Sequence, residues 1–255
     1  MALFKLASTG FSPSQILSSA MKKSSPGMGF PLLAPSTVTP VPDSGRKSRV
    51  MTVFSFALPI SFIAAVFLDV VWPVLVLLGV ERFRIVPGFT AINPFDFVYY
   101  PWSHSLLMTV VWAVLFAIVY QTATGDRAGA VWVGIAVASH WVLDCIAHRP
   151  DMPLYPGGGE RLGLGLWQSL PATFAVEGLM FAAGIALYMR STKAKDRVGT
   201  VAWWAMIGLL LALYLPGPWS PPPPSENAVA VMGIVALAIF GPWAYWIDRH
   251  RASAN

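Results

Sequence analysis

The sequence predicts an all-α integral membrane protein, with about six transmembrane helices in one bundle behind a disordered N-terminal tail. Composition is the first reason. Of 255 residues, 56% are hydrophobic and 11% charged, with a mean hydropathy of +0.61. Soluble domains average about 45–50% apolar and about 25% charged, so an ordinary soluble enzyme is excluded. The second reason is pattern. From Met51 onward, apolar runs close to the roughly 20 residues that a spanning helix needs alternate with short polar turns. The third is the set of 11 Trp and 7 Tyr, whose rings settle at the headgroup level of a bilayer. The net charge of +5 then marks a cytoplasmic face rather than a nucleic-acid footprint. The lipid bilayer is the expected partner, and no nucleic acid is expected. Cys145 is the single cysteine, so a disulfide-stapled secreted domain is excluded as well.

Residues 1–50 are rich in Ser and Pro. They carry Lys5, Lys22, Lys23, Arg46, Lys47 and Arg49 against one acid, Asp43, with no sustained apolar period. Such a segment buries too little surface to offset its ordering entropy. It has the acid-poor, Ser-rich character of a transit peptide, and an extension upstream of a start at Met51 is the reading favoured here. The transmembrane helical domain is then 51–250. Its spans are expected at Phe54–Leu78, His104–Gln121, Gly129–Ala147, Leu170–Met189, Gly199–Leu215 and Ala228–Ile247. The first contains Pro59, Asp69 and Pro73, so a kink or break is expected there. No internal repeat of the kind that marks paired transporter halves is visible.

Orientation follows from the cations. With six spans and the N-terminus inside, the inner face carries Arg46, Lys47, Arg49, Arg127, Arg190, Lys193, Lys195, Arg197, Arg249 and Arg251. The outer face carries only Arg82, Arg84, Arg149 and Arg161. Both termini are therefore expected in the cytoplasm. A re-entrant first run would reverse that parity.

An ionisable residue inside a span costs several kcal/mol unless paired, which makes it a functional hypothesis by default. On this topology Asp69, His104, His140, Asp144, His148 and Glu177 all fall towards the outer side. His250 lies in the charged tail as a solvated bystander. Spacings of four and eight place His140, Asp144 and His148 on one helical face. His140 and Asp144, one turn apart, are a candidate metal-ligand pair. His148 stands about 12 Å further along at 1.5 Å per residue, which suits a second ion, the substrate or the rim. Ser103 reads as an N-cap, placing His104 in the first turn of its span, where the helix dipole favours the neutral ring that a metal requires. An interfacial histidine anchored by Trp102 is the bland alternative. Asp69 has two readings: a bond to the Trp72 indole or to backbone groups freed by Pro73, or a ligand or general base. Glu177 either pairs with a neighbouring span or joins the site. Imidazole and carboxylate together suit a divalent ion, with zinc first and manganese or iron as alternatives. The glycines at 157–159, 163 and 165 read as loop residues, because no strand precedes them as a nucleotide-binding turn would require.

The succession L-D-x-x-W-P, P-W-S-H-S-L, S-H-W-x-L-D and H-R-P-D-M-P-L-Y-P-G-G, with L-G-L-G-L-W-x-S-L-P and the closing W-x-x-D-R-H, resembles the YdjM-like bacterial membrane proteins. These are named membrane-bound metal-dependent hydrolases, with relatives sometimes labelled permeases. The resemblance runs from about Ala65 to Arg249. It implies that His104 matches the His of a T/S-H-S motif, His140 and Asp144 an H-x-x-x-D motif, and Asp69 the first acid of D-x-D-H. Val71 and Trp72 replace the rest of that last motif, and the family's N-terminal Gly-His pair has no counterpart. His148 and Asp151 are the available substitutes.

The functional expectation is metal-assisted hydrolysis near the extracytoplasmic face of a bacterial inner membrane. Asp69, His104, His140 and Asp144 are the candidate ligands, Asp69 and His148 the candidate catalytic groups, and a lipid-like or phosphate-ester molecule the candidate substrate. Two competing readings stand beside it. One is a permease using Asp69, Asp144 and Glu177 as a relay. The other is a non-catalytic membrane protein with a vestigial site.

Overall fold

The structure, a computed structural model, describes residues 57–254. The expected tail at 1–50 and the beginning of the first apolar run lie outside those residues. The run itself forms two helices end to end, α1 (Ala57–Ala65) and α2 (Phe67–Leu77). The break falls at Val66, with φ −111° and ψ 15°, and not at either proline: Pro73 sits inside α2. Helical i→i−4 bonds continue on both sides, from the Val66 amide to the Phe62 carbonyl and from the Val70 amide to the Val66 carbonyl. The run is therefore a kinked rod. Both halves pack along the last long helix of the chain, as a rod does and a tight hairpin would not.

A loop through Gly79 leads into an antiparallel hairpin, β1 (Arg82–Ile85) and β2 (Phe95–Tyr99), followed by one helical turn, α3 (Pro101–His104). Five helices long and apolar enough to cross a membrane come next: α4 (Leu106–Thr124), α5 (Arg127–Ala147), α6 (Leu170–Ser191), α7 (Arg197–Tyr214) and α8 (Glu226–Arg249). Each begins at a short polar residue whose side chain accepts a backbone N–H from its first turn: Ser105, Asp126, Ser169, Asp196 and Ser225. Ser105, not Ser103, is the cap of α4, accepting from the Met108 amide at 3.2 Å. Two further strand pairs occur among the described residues, a hairpin and a long-range pairing. β3 (Met152–Pro153) pairs with β4 (Arg161–Leu162), and β5 (Thr192–Ala194) pairs with β6 (Arg251–Ser253). The fold is mostly helical with three small two-stranded ribbons, which the sequence pattern registers only as polar turns.

The kinked rod is the centre of the bundle. Phe62 and Val66 pack with Phe181, Trp203, Met206, Phe240 and Ile247 from α6, α7 and α8. Ala64 and Leu68 pack with Ala113, Val133, Val137 and Trp141 from α4 and α5. Leu107, Val110, Val114, Leu115, Ile118 and Val119 of α4 stay exposed, an apolar face far larger than soluble surfaces carry. This is the face that a lipid bilayer covers.

The end of α5 is closed by the chain that follows it. The Leu164 amide donates to the Cys145 carbonyl at 2.8 Å and the Gly165 amide to the His148 carbonyl at 2.7 Å. A Cβ at Gly163 would run into the Arg149 and His148 carbonyls, so only glycine fits. Gly163→Ala should therefore cost about 1–3 kcal/mol, read as a lowered unfolding temperature of the detergent-solubilised protein. An unchanged temperature would show that this loop is free to move off the helix end.

Candidate metal centre

Asp69 projects from the first turn of α2, just past the break at Val66. His104 ends the single turn α3, with extended Ser105 between it and α4. It is thus at the end of a short turn rather than in the first turn of a span, and the dipole argument for its neutral ring does not apply. His140 and Asp144 lie on the inward face of α5, both buried. These four side chains meet. His140 Nε2 is 3.1 Å from Asp144 Oδ2 and 3.6 Å from Asp69 Oδ2. His104 Nε2 is 3.5 Å from Asp69 Oδ1 and 3.7 Å from Asp144 Oδ2. The two imidazole centroids are 5.4 Å apart.

Both rings turn the same nitrogen inward, and each is held there by a partner on its other side. His140 Nδ1 lies 2.8 Å from the Ala65 carbonyl. A carbonyl only accepts, so Nδ1 carries a proton, and in the neutral ring the lone pair is on Nε2. The helix break next to Ala65 lets that carbonyl serve an outside donor, a recognised cause of kinks in a helical ladder. His104 Nδ1 lies 2.7 Å from Ser103 Oγ. The Ser103 hydroxyl donates to Glu81 Oε2 at 2.6 Å, so towards His104 it accepts, and His104 too carries its proton on Nδ1. Glu81 Oε1 accepts the amides of Trp102 and Ser103, each at 2.8 Å. Burial pushes the Glu81 carboxyl above its usual range. The Ser103 hydroxyl and amide, nearby His104 and the Trp102 amide pull against that shift.

This donor set fits a divalent ion. Asp69, His104 and His140 each offer one ligand atom, and those atoms lie within 4.8 Å of one another. Tetrahedral ligands at about 2.0–2.1 Å from zinc stand about 3.3 Å apart, and the nitrogen–oxygen separations of 3.1–3.7 Å bracket that spacing. Two imidazoles with a carboxylate also form a facial set used by iron. The side chains of His140, Asp144 and His104 are 1%, 5% and 7% exposed, whereas that of Asp69 is 28% exposed. Asp69 is therefore the least buried member of the cluster.

The chain matches the family model of the YdjM inner membrane protein over residues 57–219. The chain belongs to the YdjM inner membrane protein family. It is a multi-pass membrane protein. No curated protein and no solved structure matches it.

The remaining candidates sit elsewhere in this YdjM-family chain. His148 caps the end of α5 with its Nδ1 3.1 Å from Asp151 Oδ1. The Tyr100 hydroxyl donates to the same oxygen at 3.0 Å. Burial, and then the Asp151 charge, raise the Tyr100 phenol well above its ordinary range, so it remains a donor. The His148 ring packs on Trp167, Phe97 and Tyr100, and the Tyr100 ring touches His104 as well. Glu177 does not join the cluster. Its carboxylate accepts the Trp167 indole N–H at 3.1 Å and the Tyr214 hydroxyl at 2.6 Å, the neighbouring-span pairing. The Trp72 indole N–H finds no acceptor among the described residues, and its ring packs on Phe83 and Phe97, so Asp69 is not its partner. His250 is tied to Asp196 at 2.7 Å rather than free in solvent.

Three contributors escape sequence reading. Glu81 stands beside Arg82 just past an apolar run, where an acid reads as a solvated surface residue. Ser103 reads as a cap, and Tyr100 as an interfacial anchor. A buried Glu177 held by two donors is a structural pair. Tyr214→Phe should cost about 1.5–3 kcal/mol, the range for a hydrogen bond to a charged group, and leave bound metal unchanged. Metal lost with Tyr214→Phe would tie Glu177 to the centre after all.

Proposed function

We propose that this protein is a membrane-embedded metal-dependent hydrolase whose site opens on the extracytoplasmic side. The observation that carries the reading is the convergence of Asp69, His104 and His140, with both imidazoles locked to present Nε2. Together with Asp144 they form the ligand set, for zinc first among divalent ions. When bound, such an ion polarises a scissile carbonyl or phosphoryl group and acidifies water. Asp69, the least buried of the four, serves either as a ligand or, left off the ion so that a coordination position stays open, as the base that takes the proton of a water. His148, beyond the Tyr100 ring and with its Nδ1 3.1 Å from Asp151, stands outside the ligand set and is proposed to contact the substrate rather than the ion. Tyr100 and Asp151 keep that ring in place.

Ionisable groups in hydrocarbon cost several kcal/mol each unless paired. The imidazole nitrogens and carboxylate oxygens of these four lie 3.1–3.7 Å from one another, and it is the presentation of Nε2 by both imidazoles that favours an ion over a vestigial cluster. The engagement of Glu177 with Trp167 and Tyr214 removes the third member of a relay with Asp69 and Asp144, and so favours hydrolysis over transport. The positive-inside count supports cytoplasmic termini and places β1–β2 and β3–β4 outside. A lipid-like or phosphate-ester substrate suits a site at that depth, where Arg82, Arg84, Arg149 and Arg161 line the adjoining loops.

Two measurements test this. Metal analysis of the purified protein should find about one divalent ion per chain, and His140→Ala should lower bound metal and unfolding temperature together. His250→Ala should leave the metal content unchanged. A metal-free protein whose His140→Ala variant is equally stable would remove the centre. For orientation, Glu160→Cys in a Cys145→Ser background should react with an impermeant thiol reagent on intact cells. Glu160 is exposed in the β3–β4 loop. Labelling only after lysis would put the site on the cytoplasmic side.

A further inference from the structure

We propose that Glu81 and Ser103 are positioning residues of the metal centre, and that together they decide which nitrogen His104 offers. This rests on the metal-centre reading above. The Ser103 hydroxyl has one proton to give, and three groups compete for it: Glu81 Oε2 at 2.6 Å, His104 Nδ1 at 2.7 Å and the Tyr100 carbonyl at 3.4 Å. The carboxylate oxygen, a pure acceptor at the shortest distance, takes it. Ser103 Oγ therefore faces His104 Nδ1, at 2.7 Å, as an acceptor. The ring must then be protonated on Nδ1, so that its neutral form carries the lone pair on Nε2, the atom 3.5 Å from Asp69 and 3.7 Å from Asp144. Glu81 never touches the cluster, yet its acceptor character is passed through one hydroxyl to the ligand atom.

The chain has a definite polarity because the rest of Glu81 is spoken for. Oε1 accepts two backbone amides, those of Trp102 and Ser103, and a backbone N–H can only donate. Whatever replaces Glu81 must keep an oxygen there. In Glu81→Gln the amide oxygen stays on those two N–H groups, which turns the NH2 towards Ser103 Oγ. Ser103 Oγ becomes the acceptor on that side, and its own proton turns to His104 Nδ1. The imidazole then moves its proton to Nε2, where it covers the ligand lone pair. Size, packing and the bonds to the two amides are all retained, and only the direction of two hydrogen bonds is reversed.

The test uses the full chain purified in detergent, with zinc as the probe. 15N-histidine spectra of the metal-free protein report the tautomer of each ring, and zinc titration reports affinity. In the unchanged protein His104 should be the Nδ1–H form. Glu81→Gln should switch it to Nε2–H and weaken zinc about 10–100-fold, the usual cost of disturbing a partner behind a ligand. Metal-free unfolding should stay close to that of the unchanged protein, and His140, held by a backbone carbonyl, should keep its tautomer. Ser103→Ala carries the test independently, since it removes the Nδ1 acceptor and leaves Glu81 on its two amides. It should mix the His104 tautomers and weaken zinc. If His104 stays Nδ1–H in Glu81→Gln, because the hydroxyl turns to the Tyr100 carbonyl instead, the inference falls. It falls too if zinc affinity is indifferent to the switch or to Ser103→Ala. An unchanged protein that binds no zinc sinks the metal reading, while the tautomer spectra still decide whether Glu81 governs the ring.

Discussion

The hydrogen bond from His140 Nδ1 to the Ala65 carbonyl is the interaction on which the arrangement of this molecule turns. It joins the central rod to α5 at the depth where the polar cluster lies. It coincides with the break that lets the rod bend at Val66, and it orients the most deeply buried ligand candidate. A carbonyl inside a continuous helix is occupied by the amide four residues on. At the break that geometry opens, and a side chain from a neighbouring helix makes use of it. The kink is therefore part of the site, and Asp69 emerges one turn beyond it, facing the same imidazole.

Placing the kinked rod between two packed groups of helices has a structural logic. Its residues contribute to the core shared with α6, α7 and α8 and to the core shared with α4 and α5. A helix that contacts neighbours on most sides cannot tilt or slide without disturbing both cores. The carboxylate it carries is accordingly held against two imidazoles that come from other elements. Tight preorganisation matters in a bilayer, because no bulk water is available to screen misplaced charge. The hairpin β1–β2 adds a lid of aromatic rings, Phe83, Phe95 and Phe97, over Trp72 and the Tyr100–His148 pair.

Much of this was legible in the sequence, for reasons that are physical. Apolar runs have a minimum length set by the bilayer, so five long helices fall within a few residues of their expected bounds. Each starts where a Ser or Asp can cap it. An ionisable residue in such a run must be satisfied, so Asp69, His104, His140 and Asp144 stood out individually, and equal depth along the helices brought them together. A kink or break is expected in the run that contains Pro59, Asp69 and Pro73, and it falls at Val66, beside the carbonyl that His140 reaches from 75 residues away, a contact that no local pattern carries. Glu81 was invisible for a related reason. Next to Arg82, outside any apolar period, it has the look of a surface charge, and only the fold of β1, β2 and α3 around it removes it from solvent. The strand pairs were missed because strands of two to five residues leave no period to detect.

The two imidazoles are held by partners of different kinds, and the difference sets what each can do. A backbone carbonyl cannot become a donor under any change of side chain, so His140 has a fixed proton position as long as the break at Val66 persists. A hydroxyl is both donor and acceptor, so the proton position on His104 depends on what lies behind Ser103. One ligand candidate is thus fixed by main-chain geometry and the other is conditional on a buried carboxylate. In a centre assembled from three separate segments, the conditional arm is the one whose chemistry can be altered without disturbing the packing of the bundle. It is carried on the short turn α3, buried between a β-hairpin and a helix cap. The fixed arm lies within the long helix α5. Such a division lets the fold keep its ligand cage rigid while the properties of a single nitrogen are governed from outside it.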